Sequence, residues 1–75
     1  MNRDRAAILL AFHDETEVLT KRDILDRAGL REDMQLNYLI SMNLIAMREW
    51  QPKERRLLFL TPKGRDKREE CMVGD

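Results

Sequence analysis

An apolar run that stops abruptly at a proline constrains the fold of this chain more than any other feature. Residues 57–60 read Leu-Leu-Phe-Leu, and Thr-Pro-Lys-Gly follows at once. Proline cannot donate a hydrogen bond to a sheet, and its fixed φ suits the first turn of a helix. The run is therefore predicted to be a β-strand returning through the core. Thr61 is predicted to cap a final helix over residues 62–72.

A second strand-like segment precedes this run, so the two together predict a β-hairpin. The hairpin is expected over residues 46–61, with Pro52 in its polar turn. Side chains alternate between the two faces of a strand, and all four residues of 57–60 are apolar. Both faces of the hairpin are therefore apolar, and the terminal helices or a second subunit must cover the second face.

Two helices are predicted in the first third of the chain. Apolar residues at helical spacing predict the first over residues 5–13. The apolar pair at residues 18–19, just before Thr20, is long enough only for a very short strand. Thr20 is a good N-cap, and Gly29 suits a left-handed C-cap, so the second helix is expected over residues 20–28.

A third helix is predicted over residues 32–42. Asn43 can take the left-handed stop that glycine usually provides. One face of this helix is apolar and is expected to enter the core; its residues are Leu36, Leu39 and Ile40.

The length and composition predict a single α+β domain over residues 1–75. Seventy-five residues allow one domain at most. The chain is 43% hydrophobic and 37% charged, which is too apolar for a disordered chain. No apolar run approaches the roughly 18 residues of a membrane span. A secretory signal peptide is not expected, and the single cysteine, Cys71, fits a reducing cytoplasm.

The distribution of charge is uneven although the formal net charge is zero. Residues 48–65 carry six basic and two acidic side chains, a net charge of +4. Residues 1–47 carry six basic and eight acidic side chains, a net charge of −2. The positive charge is thus concentrated on the predicted hairpin and the start of the last helix.

Enzyme chemistry and bound cofactors are not expected. His13 is the only histidine and Cys71 the only cysteine, whereas a zinc site needs three or four such ligands. The sequence also lacks a glycine-rich phosphate loop and a nucleophile elbow. A binding protein without metal or cofactor is predicted.

Three phrases resemble the winged helix-turn-helix DNA-binding proteins, such as the MarR-like regulators and small prokaryotic or viral winged-helix proteins. They are LTKRDILDRAGL, LNYLISMNLI and LFLTPKGR. They are similar to the family's second helix, its recognition helix and the strand that closes its wing. The resemblance implies three helices, a β-hairpin wing and a short C-terminal helix. The segment before Asn43 is shorter than the family's pattern by nearly one helical turn.

This resemblance implies sequence-specific binding to double-stranded DNA and a role in transcription regulation. The third helix would enter the major groove, where Gln and Asn side chains can pair with adenine. Basic wing residues would neutralise phosphates and release counterions. The residues so assigned to DNA contact are Arg31, Gln35, Asn37, Tyr38 and Ser41 with Arg48, Lys53, Arg55 and Arg56 of the wing.

A protein-interaction module on the same fold is the alternative. Met34 and Met42 fall on the same side of the third helix as Tyr38, and Glu32 and Asp33 would repel phosphate. Such a face could dock a polymerase or another regulator. A homodimer would cover the apolar second face of the hairpin and place two recognition helices about 34 Å apart, as a palindromic site requires.

Overall fold

The predicted α+β class is confirmed. A computed structural model of the protein describes residues 2–50 and 55–73, and for residues 49, 50 and 55 it describes the backbone alone. In chain order the elements of these residues are α1 (Arg3–Ala11), β1 (Val18–Thr20), α2 (Lys21–Ala28), α3 (Met34–Ser41), β2 (Ile45–Trp50), β3 (Arg55–Leu60) and α4 (Pro62–Val73).

The strands form an antiparallel sheet in the order β1-β3-β2. The predicted hairpin is present as β2 and β3, and we call it the wing. Because β3 is the central strand, its apolar run is flanked on both sides: Phe59 pairs with Val18 of β1 and with Ala46 of β2. Leu58 and Leu60 of this run face the core, whereas Leu57 and Phe59 on the opposite face are half-buried.

The helices cover one face of the sheet. Ile24 of α2, Leu39 of α3 and Phe12 just after α1 are fully buried in the core on this side. Val18 on the opposite face is 44% exposed. The full core consists of Ile8, Leu9, Ala11, Phe12, Leu19, Ile24, Leu36, Leu39, Leu44, Ile45, Leu58 and Leu60.

The helix bounds differ from the sequence expectation by one or two residues, and the differences are largest for α1 and α3. Helix α1 begins at Arg3 and ends at Ala11, whereas the sequence predicts residues 5–13. The cause at its start is Asn2, whose Oδ1 accepts the backbone N–H groups of Asp4 and Arg5 at 2.8 and 3.3 Å. Helix α3 begins at Met34 rather than at residue 32.

The other helix ends follow their capping residues. Thr20 and Asp23 form a reciprocal capping box at the start of α2. Gly29 ends that helix with a left-handed φ of 71°. Asn43 adopts a φ of 61° just after α3, which is the left-handed stop that the sequence predicted there.

Helix α4 is anchored at its start to the turn that follows α3. The Thr61 hydroxyl donates toward the carbonyl oxygens of Asn43 and Leu44 at 2.6 and 3.1 Å. The same hydroxyl accepts the N–H of Gly64 at 3.0 Å, and the Thr61 N–H donates to Leu44 at 3.1 Å. A Cβ at Gly64 would lie 1.8 Å from the Leu44 oxygen. Thr61 and Gly64 are therefore both required where the strand turns into the helix.

Two arginines hold the end of α1. Arg68 of α4 donates to the carbonyl oxygens of Phe12 and His13 at 2.8 and 3.0 Å. Arg27 of α2 donates to Ala11 at 3.0 Å and forms an ion pair with Glu17. These bonds satisfy carbonyl groups that a helix end leaves without internal partners. Within the described ranges, none of the helices is both long and apolar enough to cross a membrane.

Candidate nucleic-acid interface

Helix α3 presents one face to solvent. Leu36 and Leu39 are fully buried, which orients the opposite side of the helix outward. Met34 is 63% exposed and Tyr38 is 39% exposed. The outward residues follow the i, i+3, i+4, i+7 spacing of a single helical stripe, and they are Met34, Asn37, Tyr38 and Ser41. We call this stripe the α3 outer face.

Three of the five residues predicted at or beside the third helix lie on this face. Asn37 and Tyr38 are exposed with their side chains outward, and Ser41 is exposed near the end of the helix. The Ser41 hydroxyl donates to the carbonyl oxygen of Tyr38 at 2.7 Å, so its proton is already engaged. Arg31 is exposed in the loop between α2 and α3.

Gln35 is half-buried and faces α1 instead of joining the outer face. Its Oε1 accepts a hydrogen bond from Nε of Arg5 at 2.7 Å. The guanidinium of Arg5 also lies 3.6 Å from the centroid of the Tyr38 ring. Sequence reasoning missed Arg5 because it lies on a different helix, and nothing in the local sequence links residues thirty positions apart.

Asp33 lies at the start of α3 beside a counter-charge. Lys21 of α2 forms an ion pair with its carboxylate. The hydrogen bond from Lys21 lowers the pKa of Asp33, and the positive charge of Lys21 lowers it further. The repulsion that Asp33 would exert on a phosphate is therefore partly offset by Lys21.

The wing carries exposed arginines on both of its faces. Arg48 pairs with Leu57, and Arg56 pairs with Glu49. Because side chains alternate along a strand, Arg56 lies on the helix side of the sheet and Arg48 on the opposite side. Both are exposed. The backbone alone is described for Arg55, and Lys53 lies outside the described residues.

A groove separates α3 from α1 and α4. Its volume is about 770 Å³, and Tyr38 of α3 and Met42 just after that helix line it on one side. Basic residues stand around it that were not predicted as site residues, namely Arg5, Lys63 and Lys67. Lys67 also lies 3.6 Å from the Glu70 carboxylate. Positive charge thus flanks the α3 outer face as well as the wing.

No protein-family model matches the chain, and no curated protein matches it. Solved structures match it in fold. BpsR of Bordetella bronchiseptica, whose DNA binding is regulated by 6-hydroxynicotinic acid, superposes with a TM-score of 0.80 at 20% identity. The match covers 96% of this chain and 57% of BpsR.

Two further structures have the same arrangement. Sso10a-2, a DNA-binding protein from Sulfolobus solfataricus, gives a TM-score of 0.76 at 15% identity, over 93% of this chain and 72% of that protein. The adhesin competence repressor AdcR of Streptococcus pyogenes gives a TM-score of 0.74 at 13% identity. That match covers 96% of this chain and 55% of AdcR. The chain thus spans little more than half the length of BpsR and of AdcR. These matches, together with the helices and the wing, show that the chain has the winged helix-turn-helix fold.

Proposed function

We propose that the protein binds double-stranded DNA, with α3 in the major groove and the wing against the sugar-phosphate backbone. The observation that carries this proposal is the α3 outer face, which stays exposed although Leu36 and Leu39 of the same helix are fully buried. An α-helix fits the width of the major groove. Exposed arginines on the wing supply the charge that phosphate contacts require.

The chemistry of the α3 outer face suits base edges. The Asn37 amide can donate to and accept from adenine, and serine can bond to several bases. Met34 and Tyr38 offer apolar surface of the kind that contacts the thymine methyl group. Binding at such a face would be sequence-specific.

Transcription regulation is the role we propose for this binding. One structural neighbour is named a repressor, and the DNA binding of another responds to a small molecule. A domain that occupies a DNA site can regulate transcription without catalysis. The single cysteine supports a cytoplasmic setting for this role.

The salt dependence of binding to a random-sequence duplex tests the proposal. Each phosphate contact contributes about 0.9 to the slope of log affinity against log salt. We expect a steep negative slope for the wild-type protein. Arg56→Ala should reduce the slope by about 0.9 if that side chain neutralises one phosphate.

The chain offers a matched control for this measurement. Arg65→Ala removes the same charge from an exposed position of α4. Its slope should stay at the wild-type value. Arg48→Ala reports on the other face of the wing, so the two wing variants show which face meets DNA. An affinity that does not change with salt in the wild-type protein would reject DNA binding.

Docking of a protein partner is the second candidate function. The observation in its favour is the exposure of two methionines beside Tyr38: Met34 is 63% exposed and Met42 is 43% exposed. Exposed apolar side chains of this size are typical of protein contacts. Weak, salt-insensitive binding to DNA together with unimpaired folding would favour this function.

We further propose that the protein acts as a homodimer. Val18 and the half-buried Phe59 make part of the outer face of the sheet apolar, on the same face as the exposed Arg48. A second subunit would cover this face and supply a second recognition helix for a palindromic site. Sedimentation over a range of micromolar concentrations tests this, and a monomer at every concentration would reject it.

A further inference from the structure

We propose that Arg5 is a positioning residue that determines DNA specificity by fixing Tyr38 and Gln35 of α3. This inference rests on the proposed function and extends it to a residue of α1. Arg5 lies outside the wing and outside the recognition helix. It is nevertheless the residue of α1 whose side chain contacts α3 through both a hydrogen bond and an aromatic ring.

The contacts of Arg5 span one turn of α3. Its Nε donates to Oε1 of Gln35 at 2.7 Å, and its guanidinium carbon lies 3.6 Å from the centroid of the Tyr38 ring. Gln35 and Tyr38 are three positions apart, so they are neighbours on the helix surface. One planar group therefore holds two side chains at once. We call these three residues the Arg5 clamp.

The clamp assigns different roles to its two partners. The amide oxygen of Gln35 accepts the hydrogen bond from Arg5 of α1, and the Gln35 side chain is half-buried. Gln35 therefore anchors the clamp instead of pairing with a base. Tyr38 remains 39% exposed with one ring face against the guanidinium. Since Arg5 covers one face of the Tyr38 ring, the uncovered part of the ring is held in a fixed orientation toward the major groove of the DNA.

Lysine cannot replace arginine in this clamp. A guanidinium is planar, and it can stack on a ring with its face while it donates from its edge. An ammonium group carries the same charge but is compact and cannot fill both roles. The charge of Arg5 and its geometry can therefore be tested separately.

The test compares two DNA probes across a series of salt concentrations. One probe is a random-sequence duplex, and the other is a duplex that the wild-type protein selects from a random pool. For Arg5→Lys we expect the affinity ratio between the two probes to fall about tenfold, which is within the range of coupling between contacting residues. Because the charge is kept, the salt slope on the random duplex should not change.

A double-mutant cycle tests the coupling to Gln35. Gln35→Met keeps the length of the side chain but removes the acceptor, and it should lower the same affinity ratio. The double variant Arg5→Lys with Gln35→Met should then lose no more than Arg5→Lys alone, because Arg5→Lys already breaks the bond to Gln35. Thermal melting of each variant shows that the domain remains folded.

Nuclear magnetic resonance of the free protein gives a readout that does not depend on DNA. In the wild-type protein the Arg5 side-chain protons should be shifted by the Tyr38 ring current, and Tyr38→Leu should remove that shift. Absence of the shift in the wild-type protein would overturn the clamp.

The outcomes separate this inference from the proposed function. If the wild-type protein selects a sequence and Arg5→Lys retains the full affinity ratio, the positioning role is overturned. If Arg5→Ala weakens both probes equally and lowers the salt slope by about 0.9, Arg5 is a phosphate contact and the inference fails. If the wild-type protein binds neither probe, the proposed function itself fails and the specificity role falls with it.

Discussion

Replacing Gly64 by alanine tests how the last helix is joined to the rest of the domain. An added Cβ would lie 1.8 Å from the carbonyl oxygen of Leu44, and real Cβ atoms essentially never approach closer than 3.0 Å. Relief of the clash requires a displacement of about 1.2 Å, from 1.8 to 3.0 Å. Both partners are backbone, so a side-chain rotation cannot provide it.

The expected cost follows from what this displacement breaks. Overpacking of a tightly packed site costs about 1–3 kcal/mol. Moving α4 away from Leu44 also strains the two hydrogen bonds from Thr61, which contribute about 1 kcal/mol each. The better helix propensity of alanine offsets about 1 kcal/mol of this loss. We therefore expect Gly64→Ala to lower the free energy of unfolding by about 2–4 kcal/mol.

Urea unfolding followed by circular dichroism measures this loss. A domain of this length is expected to have about 4–11 kcal/mol of stability in total, so the shift in midpoint is large. Asp66→Ala, at an exposed position of the same helix, is the matched control and should be neutral or slightly stabilising. If Gly64→Ala is as stable as the parent, α4 is not packed on the Leu44 carbonyl and the reasoning is refuted.

Two further predictions concern stability. Leu39→Ala truncates a fully buried side chain and should lower the free energy of unfolding by about 2–5 kcal/mol. An unchanged urea midpoint would show that this side of α3 does not face the core. Hydrogen bonds from Arg27 and from the His13 N–H lower the pKa of Glu17 in the folded state. The stability that this carboxylate contributes is therefore present above the pKa that Glu17 has in the unfolded chain. It is lost as the pH falls through the pKa that Glu17 has in the folded protein. Melting temperatures below pH 4.3, the ordinary glutamate value, should therefore fall less steeply in Glu17→Gln than in the parent, and equal slopes would exclude this linkage.

Local capping chemistry made several features predictable from the sequence. Thr20 and Gly29 bound α2 because a hydroxyl and a left-handed glycine satisfy the groups at helix ends, and both effects act within a few residues. Asn43 is left-handed for the same kind of reason. Strand β3 ends at Leu60 and α4 begins at Pro62, as the sequence predicts, because the effect of a proline on the backbone is also local.

Contacts between distant segments were not predictable in this way. The bond between Arg5 and Gln35 depends on how α1 packs across α3, which the periodicity of neither helix determines. The same holds for Arg68, which reaches the end of α1 from more than fifty positions away. Alternation predicted two apolar faces for the wing but could not assign Arg48 and Arg56 to opposite sides before the strand register was known.

Under the proposed function, the length of α3 would limit how much DNA sequence one copy reads. Its eight residues rise about 12 Å, which corresponds to three or four base pairs spaced at about 3.4 Å. Each good contact to a base edge discriminates by about 1–3 kcal/mol, and specific sites are typically about 4–10 kcal/mol tighter than random DNA. With Gln35 held by Arg5, the outer face has few side chains to supply such contacts. One copy would therefore reach only the lower part of that range, so high specificity requires wing contacts or a second copy at an adjacent half-site.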